Sequence, residues 1–259
     1  MNRLARIARS RLDEVRLALM LLTRLPVGRM ADPMPSIAAA SWAFPLAGLC
    51  VGAITAMVLA GAMSAGLPPV IAAGLALAAG ILATGGLHED GLADMADGFG
   101  GGRDREHTLA IMRDSRIGSF GTLALILTLG LRWSAVATLS SQDVADAGAA
   151  LVAIAVASRA GLAPVLALVP PARGDGLGHA AATAGAAQAV VAVMIASAVL
   201  ALLLDPAAAF AIASAVGIVL VLMARLALRR IGGQTGDVLG AMQQLADLGA
   251  WLVLLMLAR

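Results

Sequence analysis

Residues 186–204 read AAQAVVAVMIASAVLALLL, a run of apolar and small side chains that contains no charge. A helix needs about 20 such residues to cross the roughly 30 Å hydrocarbon core of a bilayer. This run therefore predicts a transmembrane helix. Runs of similar character predict further spans, and the full set lies approximately at 40–66, 69–87, 118–139, 147–169, 186–204, 207–227 and 239–258.

The composition of the chain agrees with this interpretation. Of its 259 residues, 60% are hydrophobic and 13% are charged, whereas soluble domains average about 45–50% and about 25%. Long runs of Ala, Leu, Val and Gly stand where a soluble α/β domain would carry charged surface and strand-like alternation. We therefore predict an all-α, polytopic helical bundle of about seven spans in a single domain over 1–259. The spans at 69–87 and 239–258 are the weakest, so the number could be six to eight.

The distribution of arginine predicts the orientation of the bundle, because short cytoplasmic loops of membrane proteins hold most of the basic residues. Segment 1–38, before the first span, and the loops at 88–117, 170–185 and 228–238 contain Arg, whereas the intervening loops contain none. We therefore expect these segments in the cytoplasm and the C-terminus outside, where Arg259 is the only basic residue. The basic pI reflects this orientation and gives no indication of nucleic-acid binding.

Segment 1–38 also carries a structural pattern of its own. From Ser10 to Leu25, Arg alternates with Leu, Ala and Met, which is typical of an amphipathic helix on a membrane surface. The sequence TRLP at 23–26 ends this pattern. We predict an N-terminal interfacial helix that precedes the bundle.

The acidic residues concentrate in the loop at 88–117. From His88 to Gly98 the chain reads HEDGLADMADG, so that Asp90, Asp94 and Asp97 follow one another at steps of four and three. On a helix these steps place the three carboxylates on one face, where they repel one another. Mg²⁺ or Mn²⁺ would compensate, since both prefer oxygen ligands and Mg²⁺ takes one or two carboxylates plus substrate phosphates. Three carboxylates could also hold two ions in a phosphoryl-transfer site.

Two simpler alternatives exist for this segment. The acids could form a solvated helix face or ion pairs with neighbouring arginines, although Gly91 and Gly98 bracket them and helix formers are scarce. A zinc site is disfavoured, because His88 is the only nearby nitrogen or sulfur ligand. His88 itself is either a structural hydrogen-bonding residue or a substrate contact.

A second polar block, IMRDSRIGSFG at 111–121, opens the third span. Arg113 and Arg116 are spaced for one helix face and could bind phosphate oxygens. Asp114 could be another metal ligand or the general base. The alternative is that both arginines are ordinary cytoplasmic anchors.

Two further features could serve an anionic substrate. Arg132 and Arg159 fall inside predicted spans, where an unpaired charge costs several kcal/mol, so Arg159 is a candidate contact for a substrate anion or for the acidic residues. The sequence GGQTGD at 232–237 predicts a turn whose amides could cradle a phosphate, with Asp237 beside it. It could equally be a plain interhelical loop.

The two polar blocks together resemble the signature of the cobalamin synthase family, the adenosylcobinamide-GDP ribazoletransferases. Three further stretches resemble the same family in order: TRLP at 23–26, FPL at 44–46 and GGQTGDVLG at 232–240. The resemblance implies a bacterial inner-membrane enzyme that joins adenosylcobinamide-GDP to α-ribazole or its 5′-phosphate and releases GMP. It also implies Mg²⁺ dependence and an essential acid at Asp90.

The DGxxDxxD core is similar in part to the DGxxAR motif of CDP-alcohol phosphotransferases, whose Arg it does not share. Glu89 departs from the cobalamin synthase pattern, which has an apolar residue there; it either tunes the metal site or points away from it.

These observations lead to one hypothesis with two rivals. Asp90, Asp94 and Asp97 hold Mg²⁺, and Arg113 and Arg116 bind phosphate. The rivals are another CDP-alcohol-type phosphotransferase and a transporter or channel that passes metal ions or protons along the acids. Transporter sites generally lie near the bilayer midplane and often in repeats, whereas these acids lie in a cytoplasmic loop. A homo-oligomer and contacts with other enzymes of the pathway stay open.

Overall fold

The computed structural model describes residues 3–30, 32–181 and 184–258, so Arg259 lies outside the described residues. Within these ranges the chain is helical and contains no strand, apart from an isolated bridge between Pro171 and Gln234. The helices are α1 (Arg3–Leu22), α2 (Ile37–Ala40), α3 (Phe44–Ser64), α4 (Pro69–Thr84), α5 (Leu87–Gly101), α6 (Arg105–Ile111), α7 (Ser119–Gln142), α8 (Val144–Ala160), α9 (Leu162–Leu168), α10 (Gly176–Ala180), α11 (Ala186–Leu203), α12 (Pro206–Ile231) and α13 (Gly236–Leu257).

Six segments of the described chain are long and apolar enough to cross a membrane. They are Ile37–Ser64, Ser119–Gln142, Val144–Leu168, Ala186–Leu203, Pro206–Ile231 and Gly236–Leu257. A seventh arises only if α4 and α5 count as one span, and these two helices are bent by 88°. The predicted all-α, multi-pass bundle is confirmed, and we treat α5 as lying outside the spans.

The bend between α4 and α5 follows from two glycines. Gly85 and Gly86 have φ angles of +68° and +71°, a left-handed conformation that side chains with a Cβ rarely adopt. A left-handed glycine ends a helix. The predicted span at 69–87 therefore stops at Thr84, and the acidic segment begins a new helix that runs across the end of the bundle.

Small residues bring the long helices into close contact. A Cβ on Gly52 of α3 would lie 2.7 Å from the Cα of Val152 in α8, and Gly48 meets the backbone of Ala155 in the same way. Association of helices in lipid depends on this kind of close backbone approach. Gly48 and Gly52 therefore allow α3 and α8 to pack closely.

The polar connections gather at one end of the bundle, where α4, α9 and α12 end and α7 and α13 begin. We call this the polar end. Arg105 fastens it, because its Nε donates to the carbonyl of Ile231 over 2.8 Å and its Nη2 donates to the carbonyl of Ala172 over 2.6 Å. A guanidinium from α6 thus caps the end of α12.

Helix α1 packs against the polar end through buried Leu17, Ala18 and Leu22. The indole Nε1 of Trp42 donates to Oε2 of Glu14 over 2.6 Å. The helix ends at Leu22, directly before the predicted stop at 23–26. The predicted N-terminal amphipathic helix is therefore present, and its apolar face packs against the rest of the protein.

Candidate active site

The site begins where α5 crosses the first turn of α13. A Cβ on Gly91 would lie 2.8 Å from the carbonyl oxygen of Asp237, and a Cβ on Gly240 would lie 3.3 Å from the Cα of Gly91. The two helices therefore touch through their backbones, which a larger residue at either glycine would prevent. This contact sets the acidic face of α5 beside Asp237.

Three carboxylates meet at this crossing. Asp90 is exposed and Asp94 is half-buried on α5, and Asp237 stands in the first turn of α13. The pKa of Asp94 is raised to about 6 by burial and by the charges of Asp90, Asp237 and Asp97, against a smaller lowering effect of Arg173. The predicted clustering of Asp90 and Asp94 is present. Asp237, which the sequence put in a separate turn, belongs to the same cluster.

Asp97, the third predicted metal ligand, has partners of its own. It is 9% exposed, and its carboxylate accepts the backbone N–H groups of Gly118 over 2.7 Å and Gly121 over 2.9 Å. These N–H groups at the start of α7 have no partner within the helix itself, and a negative charge there also complements the helix dipole. Asp97 thus fastens α5 to α7. Its role as a metal ligand stays a prediction.

The second polar block has a different geometry from the predicted one. Helix α6 ends at Ile111, so Arg113 and Arg116 lie in a turn, and the expected common helix face is wrong. The carboxylate of Asp114 accepts the backbone N–H of Arg116 over 3.1 Å, which closes the turn in place of a helix. Arg113 forms an exposed ion pair of 2.7 Å with Asp175.

Asp114 is poorly suited to act as a general base. Hydrogen bonds from the side chain and backbone of Arg116 lower the pKa of Asp114 to about 2. A carboxylate with so low a pKa is a weak proton acceptor near neutral pH. The exposed Arg116 forms an ion pair with Asp114, in which its Nη2 lies 2.7 Å from Oδ2 of the carboxylate.

Arg173 is a site residue that the sequence analysis missed. Its Nη2 lies 3.3 Å from Oδ2 of Asp237, and its Nε is buried without a hydrogen-bond partner among the described residues. In the sequence, Arg173 is the Arg of the loop at 170–185 and indicated only the orientation of that loop. The available signal was that it is the only basic residue in 170–185 apart from His179.

The turn at 232–237 positions Asp237, and two of the amides of its predicted cradle have partners within the protein. The N–H of Gln234 donates to the carbonyl of Pro170, and the carbonyl of Gln234 accepts from the N–H of Ala172, both over 2.8 Å. The N–H of Gly232 donates to Leu228 at the end of α12. The amides of Gly232 and Gln234 are therefore already used within the protein.

A buried polar network lies below the cluster, toward the membrane. Arg132 of α7 donates to Oε1 of Gln244 over 2.5 Å and lies 3.0 Å from Oδ1 of Asp247. Gln244 in turn donates to Oε1 of Glu89 over 2.9 Å. The Glu89 carboxylate is therefore held by Gln244 and Arg132 in this network.

Arg159 belongs to this lower network. It is 4% exposed, donates to the carbonyl of Ala155 over 3.1 Å, and lines a cavity of about 30 Å³ together with Glu89, Arg132 and Asp247. Glu89 and Asp247 form their ion pairs with Arg132, at 4.0 and 3.0 Å, and Arg159 shares the cavity with these groups. Arg159 is not in contact with Asp90 or Asp94.

His88 is enclosed between the cluster and the network. Its side chain is 2% exposed, and neither ring nitrogen has a hydrogen-bond partner within the described ranges. Burial, and then the charges of Arg159 and Arg132, hold the pKa of His88 well below 6.5, so the ring is neutral. A neutral imidazole carries one donor and one acceptor.

The donor set of the cluster suits Mg²⁺ only in part. Asp90, Asp94 and Asp237 offer the hard oxygen ligands that this ion prefers. In the described part of the chain, however, no three His, Cys, Asp or Glu side chains converge closely enough to hold a metal ion alone. The residues therefore fit an ion that is shared with substrate phosphates, which is the usual arrangement for Mg²⁺.

Comparisons with known proteins agree on one family. A family model described as cobalamin-5-phosphate synthase matches residues 14–255. The adenosylcobinamide-GDP ribazoletransferase of Bradyrhizobium diazoefficiens is 46% identical over 251 residues, which cover 95% of this chain and 94% of the relative. The protein of the same name from Mesorhizobium japonicum is 46% identical over 242 residues, covering 93% and 92%. No solved structure matches the chain significantly.

Proposed function

Because this chain belongs to the cobalamin-5-phosphate synthase family, we propose that it joins adenosylcobinamide-GDP to ribazole at the cluster of Asp90, Asp94 and Asp237. The alignment with the Bradyrhizobium relative covers nearly the full length of both chains, so we assign the activity to the whole bundle and not to one part of it. The contact between α5 and α13 supports this assignment, because it brings three carboxylates together at the polar end.

The reaction is a phosphoryl transfer. A ribose hydroxyl of ribazole attacks the phosphorus that carries the cobinamide, a new P–O bond forms, and the P–O bond to the guanosine phosphate breaks. GMP leaves, and the hydroxyl proton passes to a carboxylate of the cluster or to water. Asp114 is not assigned this proton, because its pKa of about 2 makes it a poor acceptor.

Asp90, Asp94 and Asp237 would hold Mg²⁺ together with the diphosphate of the donor. The ion would neutralise charge on the transferring group when bound. Asp97 is left out of this ligand set, because its oxygens accept the amides of Gly118 and Gly121.

Two arginines are candidates for binding the diphosphate of the donor. Arg173 borders Asp237 and has a buried Nε without a partner in the described chain. Arg113 forms only an exposed ion pair with Asp175, and the doubly charged diphosphate could replace Asp175 in this pair. We assign phosphate binding to these two residues and not to Arg159, which belongs to the lower network.

We further propose that the polar end faces the cytoplasm of a bacterial inner membrane. The Arg-bearing segments meet at this end, which supports an orientation set by cytoplasmic basic residues.

The test is GMP release by purified protein supplied with adenosylcobinamide-GDP, ribazole and Mg²⁺. We expect Asp90→Asn and Asp237→Asn to lower turnover by more than about 100-fold, since each removes a charge that stabilises the transition state. Glu106→Gln is the matched control, because Glu106 is an exposed carboxylate on α6 at the same end. Turnover near the parent value in both Asn variants would overturn the assigned site.

A further inference from the structure

A cavity of about 100 Å³ opens beside the carboxylate cluster and extends under α1. Its walls include Leu22 from α1, Phe44 from the start of α3 and Leu166 from α9. Asp90 and Asp237 also line it, so the cavity shares these two residues with the proposed reaction centre. An apolar space next to such polar chemistry suits an apolar part of a substrate.

His88 is the unusual feature of this lining. It is 2% exposed, and both ring nitrogens are buried without a hydrogen-bond partner in the part of the chain that the structure describes. A buried polar group without a partner costs about 1–3 kcal/mol. A substrate atom that hydrogen-bonds to the ring would remove this cost.

We propose that the cavity is the subsite for the heteroaromatic base of the acceptor nucleoside, and that His88 donates a hydrogen bond to the ring nitrogen that the sugar leaves free. The inference rests on the proposed function, because the acceptor there is ribazole, a benzimidazole nucleoside. One nitrogen of a benzimidazole carries the ribose and the other is a hydrogen-bond acceptor. The rest of the ring system is hydrocarbon, which matches the walls around Leu22, Phe44 and Leu166.

The other substrate groups fit this cavity less well. Guanine carries several donors and acceptors on its edge, and burying them without partners is costly. Apart from the carboxylates, His88 is the buried polar side chain among the cavity lining, so the edge of guanine would find few partners there. The corrin ring is far larger than a cavity of about 100 Å³. The acceptor base is therefore the best match in both size and polarity.

The position of the cavity also suits the reaction. A base seated against His88 would leave its ribose at the mouth, where Asp90 and Asp237 stand. The attacking hydroxyl would then lie beside the carboxylates that hold the donor. His88 is accordingly a positioning residue, since it contacts the base and not the reacting atoms.

The first experiment measures binding without turnover. Equilibrium dialysis of the purified full-length protein in detergent, without Mg²⁺ or donor, compares ribazole with the corresponding indole nucleoside, in which C–H replaces the free ring nitrogen. We expect the parent to bind ribazole about tenfold more tightly, the value of one buried hydrogen bond. Equal affinities for the two nucleosides in the parent would overturn the inference without any variant.

The second experiment assigns the preference to one side chain. His88→Leu should bind both nucleosides equally, whereas His88→Gln, which keeps an N–H donor, should retain part of the preference. His179→Leu is the matched control, because His179 is exposed on α10, and it should keep the full preference. A His88→Leu protein that still prefers ribazole about tenfold would contradict the assignment.

The wall of the cavity gives an independent measurement. Phe44→Ala should weaken the binding of both nucleosides and leave their ratio unchanged, because Phe44 offers only apolar contact. Phe210→Ala is the control, since Phe210 is 75% exposed on α12. Unchanged affinity for both nucleosides in Phe44→Ala would show that the base binds elsewhere.

Kinetics separate this inference from the proposed function. In His88→Leu the KM for ribazole should rise about tenfold, while the KM for adenosylcobinamide-GDP stays near the parent value. An equal rise in both constants would overturn the subsite and leave the proposed function standing. A parent protein that releases no GMP would overturn the proposed function, whatever the dialysis gives.

Discussion

Gly91 on α5 and Asp237 on α13 are in backbone contact, so that a Cβ on Gly91 would lie 2.8 Å from the carbonyl oxygen of Asp237. The obstructing atom is backbone and cannot rotate away. We expect Gly91→Ala to separate the two helices, displace Asp237 from Asp90 and Asp94, and lower GMP release by at least about tenfold. Gly61→Ala is the control, because a Cβ there meets nothing within 4 Å. Parent-like turnover in Gly91→Ala would show that the contact does not position the site.

Asp94 and Asp97 should respond to amidation in opposite ways. Asp97→Asn removes the charge that accepts two amides at the start of α7, which should cost about 2 kcal/mol and lower the melting temperature in detergent. Asp94→Asn relieves repulsion by neighbouring carboxylates, so its melting temperature at pH 7.5 should equal or exceed that of the parent while turnover is lost. Equal destabilisation by the two changes would contradict this division of roles.

The requirement for Mg²⁺ should depend on pH through Asp94. Its pKa is raised to about 6, so the cluster carries less negative charge below that pH and its full charge above it. The Mg²⁺ concentration for half-maximal GMP release should therefore increase as the pH falls below about 6 and level off above about 7. A pH-independent requirement in the parent would remove Asp94 from the proposed ion site.

Replacement of arginine by lysine should distinguish phosphate ligands from membrane anchors. Arg173→Lys and Arg113→Lys keep the positive charge and should insert normally, but they lose the planar fork and should slow GMP release by about tenfold each. Arg116→Lys is the control, because Arg116 is exposed and paired with Asp114. If both Lys variants turn over like the parent, the two arginines are anchors only.

The orientation of the polar end can be measured by chemical labelling. In a Cys50→Ser background, we expect Arg103→Cys to resist a membrane-impermeant thiol reagent in intact cells and to react in inverted vesicles. Ser141→Cys, an exposed position at the opposite end of α7, should show the reverse pattern. Labelling of Arg103→Cys from the periplasm would invert the proposed topology.

The apolar runs were sufficient to predict the spans, because a bilayer demands length and apolarity from each helix separately. The predicted 186–204 and the observed Ala186–Leu203 agree almost to the residue. The predicted span at 69–87 extended three residues beyond the end of α4 at Thr84, because the left-handed backbone of Gly85 and Gly86 turns the chain where the apolar run continues.

The candidate site was less predictable, because its members come from separate parts of the chain. The spacing of Asp90 and Asp94 revealed their common helix face. Nothing local indicated that Asp237 and Arg173 join them, since that depends on a contact between distant helices. Asp97 fitted the spacing of the acids equally well, yet its carboxylate accepts a hydrogen bond from Gly118 at the start of α7. This tertiary contact could not be predicted from the local sequence.

The crossing of α5 and α13 also determines when the proposed site is complete during synthesis of the chain. The ribosome delivers α5 to the membrane well before α13, the last span that the structure describes. A nascent chain that has exposed Asp90 and Asp94 still lacks Asp237 and one wall of the cavity. The proposed site is thus complete only after the hairpin of α12 and α13 has been inserted.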